Sequence, residues 1–302
     1  MPFEHPSETQ FESHVVWNQI EISLTTLTST VGGYSDARRG IVTLPDGKRV
    51  FVKIGTNELT KKWAAKEVEV YAFLEASGFP HCSRLLSANA DKTSFALESL
   101  LPEDGWDWSD AWSRERLDAT LGAMDALAAL KPDPKYRELF KPVISEDDNG
   151  WPKLLASLEQ QTALASKMPP AERSLLEDLV AQAQQASQFT FRRDALIHVD
   201  VRADNCAWNS ARGEVRLVDW NWIELGDRRV DLAAFLVHVH QAGLDVTQEC
   251  PERLDADALQ WIAGFWLEAA SKPIWPGGPE KLRDMQLNSG LTALKLSKEI
   301  GA

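Results

Sequence analysis

The hydrophobic period of the chain changes near residue 100, and this change limits the available folds more than any other feature. Before it, apolar and polar residues alternate as in half-buried strands. After it, apolar residues recur every three or four positions, as on one face of a helix. A sheet-rich first third followed by a mainly helical remainder is an α+β layout. Residues 26–55 carry two turn signals, Gly32-Gly33 and Asp46-Gly47, and the second joins strands 41–44 (IVTL) and 49–54 (RVFVKI) as a hairpin. A helix is predicted over 59–77, ended by Gly78 and Pro80, with a further strand over 94–101. After Pro102 the pattern predicts helices over 114–130, 229–243, 256–271 and 281–299, and two more within 151–188, broken at Met168-Pro169-Pro170. Two short strands interrupt them, 195–199 (ALIHV) and 215–220 (VRLVDW). With 302 residues, 44% of them hydrophobic, the chain has material for one large domain or two lobes.

The net charge of −13 argues against a nucleic-acid partner, because no excess of cations is available to neutralise phosphates. It is compatible with a cationic small molecule, although acidic surfaces are usually only solubilising. Cys82, Cys206 and Cys250 form neither a Cys-x-x-Cys pair nor a zinc spacing, which points to reduced thiols and a cytoplasmic location. The N-terminal MPFEHPSETQFESH does not read as a signal peptide, and no apolar run approaches the ~20 residues of a membrane span.

Lys53 shares a strand face with Phe51, while Val50, Val52 and Ile54 share the other. On the following helix, Trp63, Ala64, Val70, Tyr71 and Leu74 lie at helical spacing from Glu67, which therefore falls within the apolar stripe that faces the sheet. A carboxylate on a buried stripe needs a cation, and Lys53 is the candidate.

The segment HVDVRADN (198–205), with LVDW (217–220) shortly after, places carboxylates directly behind apolar strands. Two strands ending in Asp200 and Asp219 would bring their oxygens side by side, and a divalent cation would relieve the repulsion. Magnesium favours a few oxygen ligands plus phosphate oxygens, so Asn205 and Asp219 read as metal ligands. Asp200 reads as the acceptor of a hydrogen bond from an incoming hydroxyl. Turn chemistry is the competing explanation for Asp and Asn in loops, and it is the preferred one for Asp204.

His198-x-Asp200-x-x-x-x-Asn205 resembles the catalytic loop of the kinase superfamily. Together with Val218-Asp219-Trp220 and Gly226-Asp227-x-x-x-Asp231-Leu232-Ala233, it resembles the aminoglycoside phosphotransferase and choline kinase-like family of small-molecule kinases. The resemblance covers most of the chain. It implies a bilobal protein kinase-like fold: an N-lobe at 1–97 with an antiparallel sheet and one helix, a hinge at 98–104, and a larger, mainly helical C-lobe at 105–302. It implies that Lys53 holds ATP phosphates and that Glu67 orients it. It further implies that Gly32 and Gly33 turn over the phosphates, that Phe51 contacts adenine and that the backbone from Glu98 to Leu100 forms the adenine-binding hinge. His198 and Asp231 would brace the loop. Two departures stand out. Val199 occupies a position commonly Gly, which an extended backbone would accommodate, and Arg228 follows Asp227 where Pro is frequent.

The expected activity is magnesium-dependent transfer of the γ-phosphoryl group of ATP, with GTP the alternative donor, to a hydroxyl of a small molecule. Asp200 would be the catalytic residue, mainly by orientation. The acceptor would be aminoglycoside-, amino-alcohol- or sugar-like. Two tryptophan and acid clusters, 106–112 (WDWSDAW) and 220–224 (WNWIE), are candidates for its site, with Glu224 the residue set toward it, although core packing equally explains the rings. A protein kinase is disfavoured by the long helical segment 131–190 and the lack of an Ala-Pro-Glu segment. A non-catalytic nucleotide-binding regulator is the alternative from a different class. The oligomeric state is not readable.

Overall fold

Gly47 sits at φ +84°, where a side chain would be strained, and Leu44 donates its N–H to Lys48 at 2.8 Å to close the hairpin that Asp46-Gly47 predicts. The structure is a computed structural model, and it describes residues 14–17, 20–23, 27–29, 36–176, 179–274 and 279–301. The chain divides into two compact units, Met1–Asp104 and Gly105–Ala302.

In the first unit, β1 (His14–Trp17) and β2 (Ile20–Ser23) form an antiparallel pair. They are followed by β3 (Thr28–Ser29), β4 (Arg38–Thr43), β5 (Arg49–Ile54), helix α1 (Glu58–Ala76), β6 (Leu85–Ala88) and β7 (Ser94–Glu98). Strands β3 to β7 form an antiparallel sheet in the order β3-β4-β5-β7-β6. Strand alternation sorts the side chains. Val42, Val50, Val52, Ile54 and Ala96 bury one face, with Leu27, Leu44 and Leu86 against it. The register pairs Lys53 with Phe95 and Phe51 with Leu97, so these four share the other face. Helix α1 packs on this second face, where Tyr71 lies 6.0 Å from Phe95, ring to ring. Asn57 caps α1 by accepting from Thr60 N at 2.9 Å, and the chain leaves it through Gly78 at φ +67°.

The second unit contains α2 (Arg114–Ala129), α3 (Gly150–Ala156), α4 (Leu158–Lys167), α5 (Leu179–Ala186), β8 (Ala195–Ile197), β9 (Cys206–Asn209), β10 (Glu214–Leu217) and β11 (Glu224–Gly226). Helices α6 (Arg228–Gln241), α7 (Val246–Glu249), α8 (Ala256–Ser271) and α9 (Leu282–Gly301) complete it. Among its described residues, region 151–188 holds three α-helices and a 3-10 segment, not two helices, because Ser157 caps a new helix by accepting from Gln160 N at 3.2 Å. Helix α8 is the hub, packed against α3, α4, α5, α6 and α9. Its Gly264 meets Gly150 of α3 so closely that a Cβ on Gly150 would fall 1.8 Å from the Gly264 carbonyl oxygen. Trp151, fully buried there, donates Nε1–H to Gln260 O at 2.7 Å. Among the described residues no helix is long and apolar enough to cross a membrane.

Candidate active site

In the first unit the predicted pair is present. Lys53 is 4% exposed and Glu67 1%, and their side chains are joined in a buried ion pair. The arrangement follows from two periods. Strand β5 directs Lys53 to the helix-covered face, and α1 turns Glu67 inward with Ala64, Tyr71 and Leu74. Glu69, off the stripe, pairs instead with Lys92 near the surface. Phe51 is half-buried on the Lys53 face. Glu98 ends β7 exposed, with its N–H donated to Arg84 O at 2.9 Å, and Leu100 is half-buried after it. Gly32 and Gly33 lie outside the described residues.

In the second unit the expected side-by-side strands are replaced by a different construction. Strand β8 pairs with β11, and β10 with β9, so the strands that precede Asp200 and Asp219 are not ladder neighbours. The loops are stitched together by Val218 instead: its N–H donates to Asn205 O at 3.0 Å, and His198 Nε2 lies 3.0 Å from its carbonyl. Strand β10 stops at Leu217 because Asp219 is left-handed, at φ +65°.

Val199 is left-handed as well, at φ +74°, and not extended as its β-branch predicts. Buried Asp231, on the first turn of α6, holds it there by accepting from Val199 N at 2.7 Å and His198 N at 3.4 Å. Burial pushes the Asp231 carboxyl up to about 7, against those two N–H donors, with Glu224 adding to the rise. His198 is fully buried, and burial lowers it to about 4, so its ring is neutral at pH 7. The neutral ring with its proton on Nε2 donates to Val218 O and leaves Nδ1 to accept from Asp200 N at 3.4 Å.

Asp200 has a hydrogen-bond donor, Asn205, on one carboxylate oxygen and an ion-pair contact, Arg202, on the other. Asn205 Nδ2 lies 2.9 Å from Oδ2 and also 2.9 Å from the Asp200 carbonyl, while Arg202 Nε lies 3.0 Å from Oδ1. Burial raises the Asp200 carboxyl to about 6, and Asp219 and Asp204 push the same way against Arg202 and Asn205. Arg202 also reaches Asp204, Nη2 to Oδ2 at 3.2 Å, so the Asp204 side chain is engaged in an ion pair. Neither Arg202 nor Asn221, which donates Nδ2–H to Asp219 Oδ1 at 2.7 Å, was singled out by the motif reading. Both stand two residues after the aspartate they touch, a spacing that carries information only once the backbone is known to turn there.

Glu224 is not turned toward open space. It is 1% exposed, and its carboxylate accepts from the backbone of Val143 and, at 3.0 Å, of Ile144, so it anchors that segment. Trp106 and Trp220 are buried, while Trp108 and Trp112 are half-buried and Trp222 is 41% exposed. Fully buried Arg116 ties the 106–112 segment to β9: it donates to Ser109 O at 2.6 Å and Cys206 O at 2.8 Å, and its guanidinium stands 4.3 Å over the Trp112 ring.

Among the described residues no three His, Cys, Asp or Glu side chains gather as an all-protein metal cage. One carboxylate, Asp219, and the amide oxygen of Asn205 are hard donors that suit magnesium bound chiefly through phosphate oxygens and water. Asn205 Nδ2 is turned to Asp200, which gives its amide oxygen the opposite direction.

The family model of the phosphotransferase enzyme family, APH, matches residues 28–266. No curated protein sequence matches the chain. Among solved structures, choline kinase LicA from Streptococcus pneumoniae is similar, with 12% identity and a TM-score of 0.57 over 88% of this chain and 92% of that one. LicA in complex with AMP gives 12% identity and a TM-score of 0.53 over 90% and 91%. Macrolide 2'-phosphotransferase MphH from Brachybacterium faecium is similar at 15% identity, TM-score 0.57, over 89% and 93%. An aminoglycoside phosphotransferase from Alicyclobacillus acidocaldarius is similar at 12% identity, TM-score 0.51, over 98% and 96%. At these identities the likeness establishes the protein kinase-like fold. With the family match across most of its length, the chain belongs to the APH phosphotransferase enzyme family, as a small-molecule kinase with a hydroxyl acceptor.

Proposed function

We propose that the protein transfers the γ-phosphoryl group of ATP to a hydroxyl of an aminoglycoside-, amino-alcohol- or sugar-like acceptor, with magnesium. The observation that carries this reading is Asp200, whose two oxygens are held by Arg202 and Asn205 beside the catalytic-loop backbone pinned by Asp231. A carboxylate fixed in this way orients a hydroxyl for in-line attack, which supplies most of what phosphoryl transfer asks of a protein. Raised to about 6, Asp200 is a better proton acceptor than an ordinary aspartate and is still mainly ionised at pH 7.

Lys53, kept in place by Glu67, would neutralise the nucleotide phosphates. Asp219 and Asn205 would hold magnesium, which when bound neutralises charge on the phosphate oxygens. Glu98 to Leu100 would serve the adenine and Phe51 its face. Support for a nucleotide also comes from the similar LicA structure in complex with AMP. The three free cysteines agree with a reducing, cytoplasmic setting.

Calorimetry with Mg-ATP, followed by a phosphorylation screen over aminoglycosides, macrolides, choline and amino alcohols, tests the reading. Binding plus transfer to one class supports it. Binding with no transfer to any hydroxyl compound points to a nucleotide-binding regulator. Unchanged Mg-ATP affinity in Asp219→Ala would remove the metal assignment.

A further inference from the structure

Asp219 stands where no regular element sets its side chain. Its backbone is left-handed, and β10 has ended two residues earlier. The chain is pinned on one side by Val218, bonded to Asn205 and His198, and on the other by fully buried Trp220 in a 3-10 turn whose Ile223 N donates to Trp220 O at 3.3 Å. These contacts fix the Cα and leave the side-chain torsions of Asp219 to be fixed by something else. Asn221, 9% exposed, does this by donating Nδ2–H to Asp219 Oδ1 at 2.7 Å.

We propose that Asn221 is a positioning residue for Asp219: its amide N–H locks the carboxylate in one orientation before the nucleotide-bound cation arrives. The inference rests on the metal role given to Asp219 above. The residue type suits the task. A lysine or arginine at 221 would cancel the charge that attracts the cation, and a carboxylate would repel Asp219 or bind the cation itself. A neutral N–H donor orients the carboxylate and leaves its charge intact. Partners of this kind behind a metal ligand influence metal affinity without touching the metal.

The test uses the full-length protein and measures ADP affinity by calorimetry over a magnesium titration, with Mn2+ binding in the presence of ADP followed by electron paramagnetic resonance. Asn221→Ala should raise the magnesium concentration for half-maximal tightening of ADP by about 10-fold. ADP affinity without metal should be unchanged. Asn221→Ser, which keeps a shorter donor, should fall between Ala and the parent, and it is the deciding variant if Asn221→Ala does not fold. A purely structural role predicts equal losses with and without metal, and that result would overturn the inference. So would an unchanged magnesium requirement in Asn221→Ala while Asp219→Ala loses its own. If Asp219→Ala also keeps the parent's magnesium dependence, the metal assignment fails and this inference with it.

Discussion

Lys53 and Glu67 meet from a strand of period two and a helix of period 3.6, whereas Asp200, Asn205 and Asp219 stand on backbone outside any regular strand or α-helix. The ion pair is positioned by local repetition, and once β5 and α1 form and dock, both side chains point inward. The loop constellation has no such repetition behind it. It depends on two left-handed residues, Val199 and Asp219, and on supports 20 or more residues away in sequence, Val218 for His198 and Asp231 for Val199. Regular elements thus deliver a buried charge pair cheaply, while the irregular loop has to be held from outside.

If this contrast holds, damage to the pair should appear first in stability. Lys53→Met leaves Glu67 buried without the Lys53 ammonium and should cost about 3–5 kcal/mol in urea unfolding. The double variant Lys53→Met/Glu67→Leu should recover most of that loss without recovering nucleotide binding. Equal instability of the single and double variants would show that the pair is not an isolated charge problem. In the loop the largest effect should be on rate: Asp200→Ala should lower turnover by about 100-fold or more with the fold intact, as checked by phosphorylation assay and circular dichroism.

The support from Asp231 has a pH signature. Its carboxyl is raised from 3.8 to about 7, so between these limits the folded chain keeps a proton that the unfolded chain has lost. Its contribution to stability therefore falls as pH rises through that window. Relative to Asp231→Asn, which cannot titrate, the parent should lose up to about 1.4 kcal/mol per pH unit, measured by urea unfolding at pH 4.5, 5.5 and 6.5. A flat difference would remove the assignment. The smallest effect is a gain. Val199→Gly should relieve the left-handed strain of a β-branched residue and stabilise the fold by about 1 kcal/mol. A loss would mean that the Val199 side chain contributes more by packing than its backbone costs.

Much of this was legible in the sequence, for reasons that differ by residue. The hairpin at Asp46-Gly47, the inward turn of Glu67 and the partnership of Glu67 with Lys53 follow from period and turn chemistry alone. The order of His198, Asp200, Asn205 and Asp219 carried the family resemblance. The conformation of Val199 was not legible, because a β-branched side chain argues for extended backbone and only the two N–H bonds to Asp231 overrule it. The strands before Asp200 and Asp219 look alike as sequence, yet each takes a different partner, β11 and β9, since short apolar strands carry no label for their neighbour. Glu224 looked available because it lies among aromatic residues, and only the fold brings Val143 and Ile144 to it.

The sequence by itself determined the α+β class, the change from sheet to helix near residue 100, the buried Lys53–Glu67 pair and the set of polar residues able to serve phosphoryl transfer. The first three depend on interactions between near neighbours, which repeat with the period of the element, and the last on the order of the loop residues alone. The tertiary structure decided how the loop carboxylates are held: Arg202 and Asn205 on Asp200, Asn221 on Asp219, and Asp231 beneath Val199. In irregular backbone no period fixes where a side chain points, so its orientation is set by whatever the rest of the fold brings within hydrogen-bonding distance.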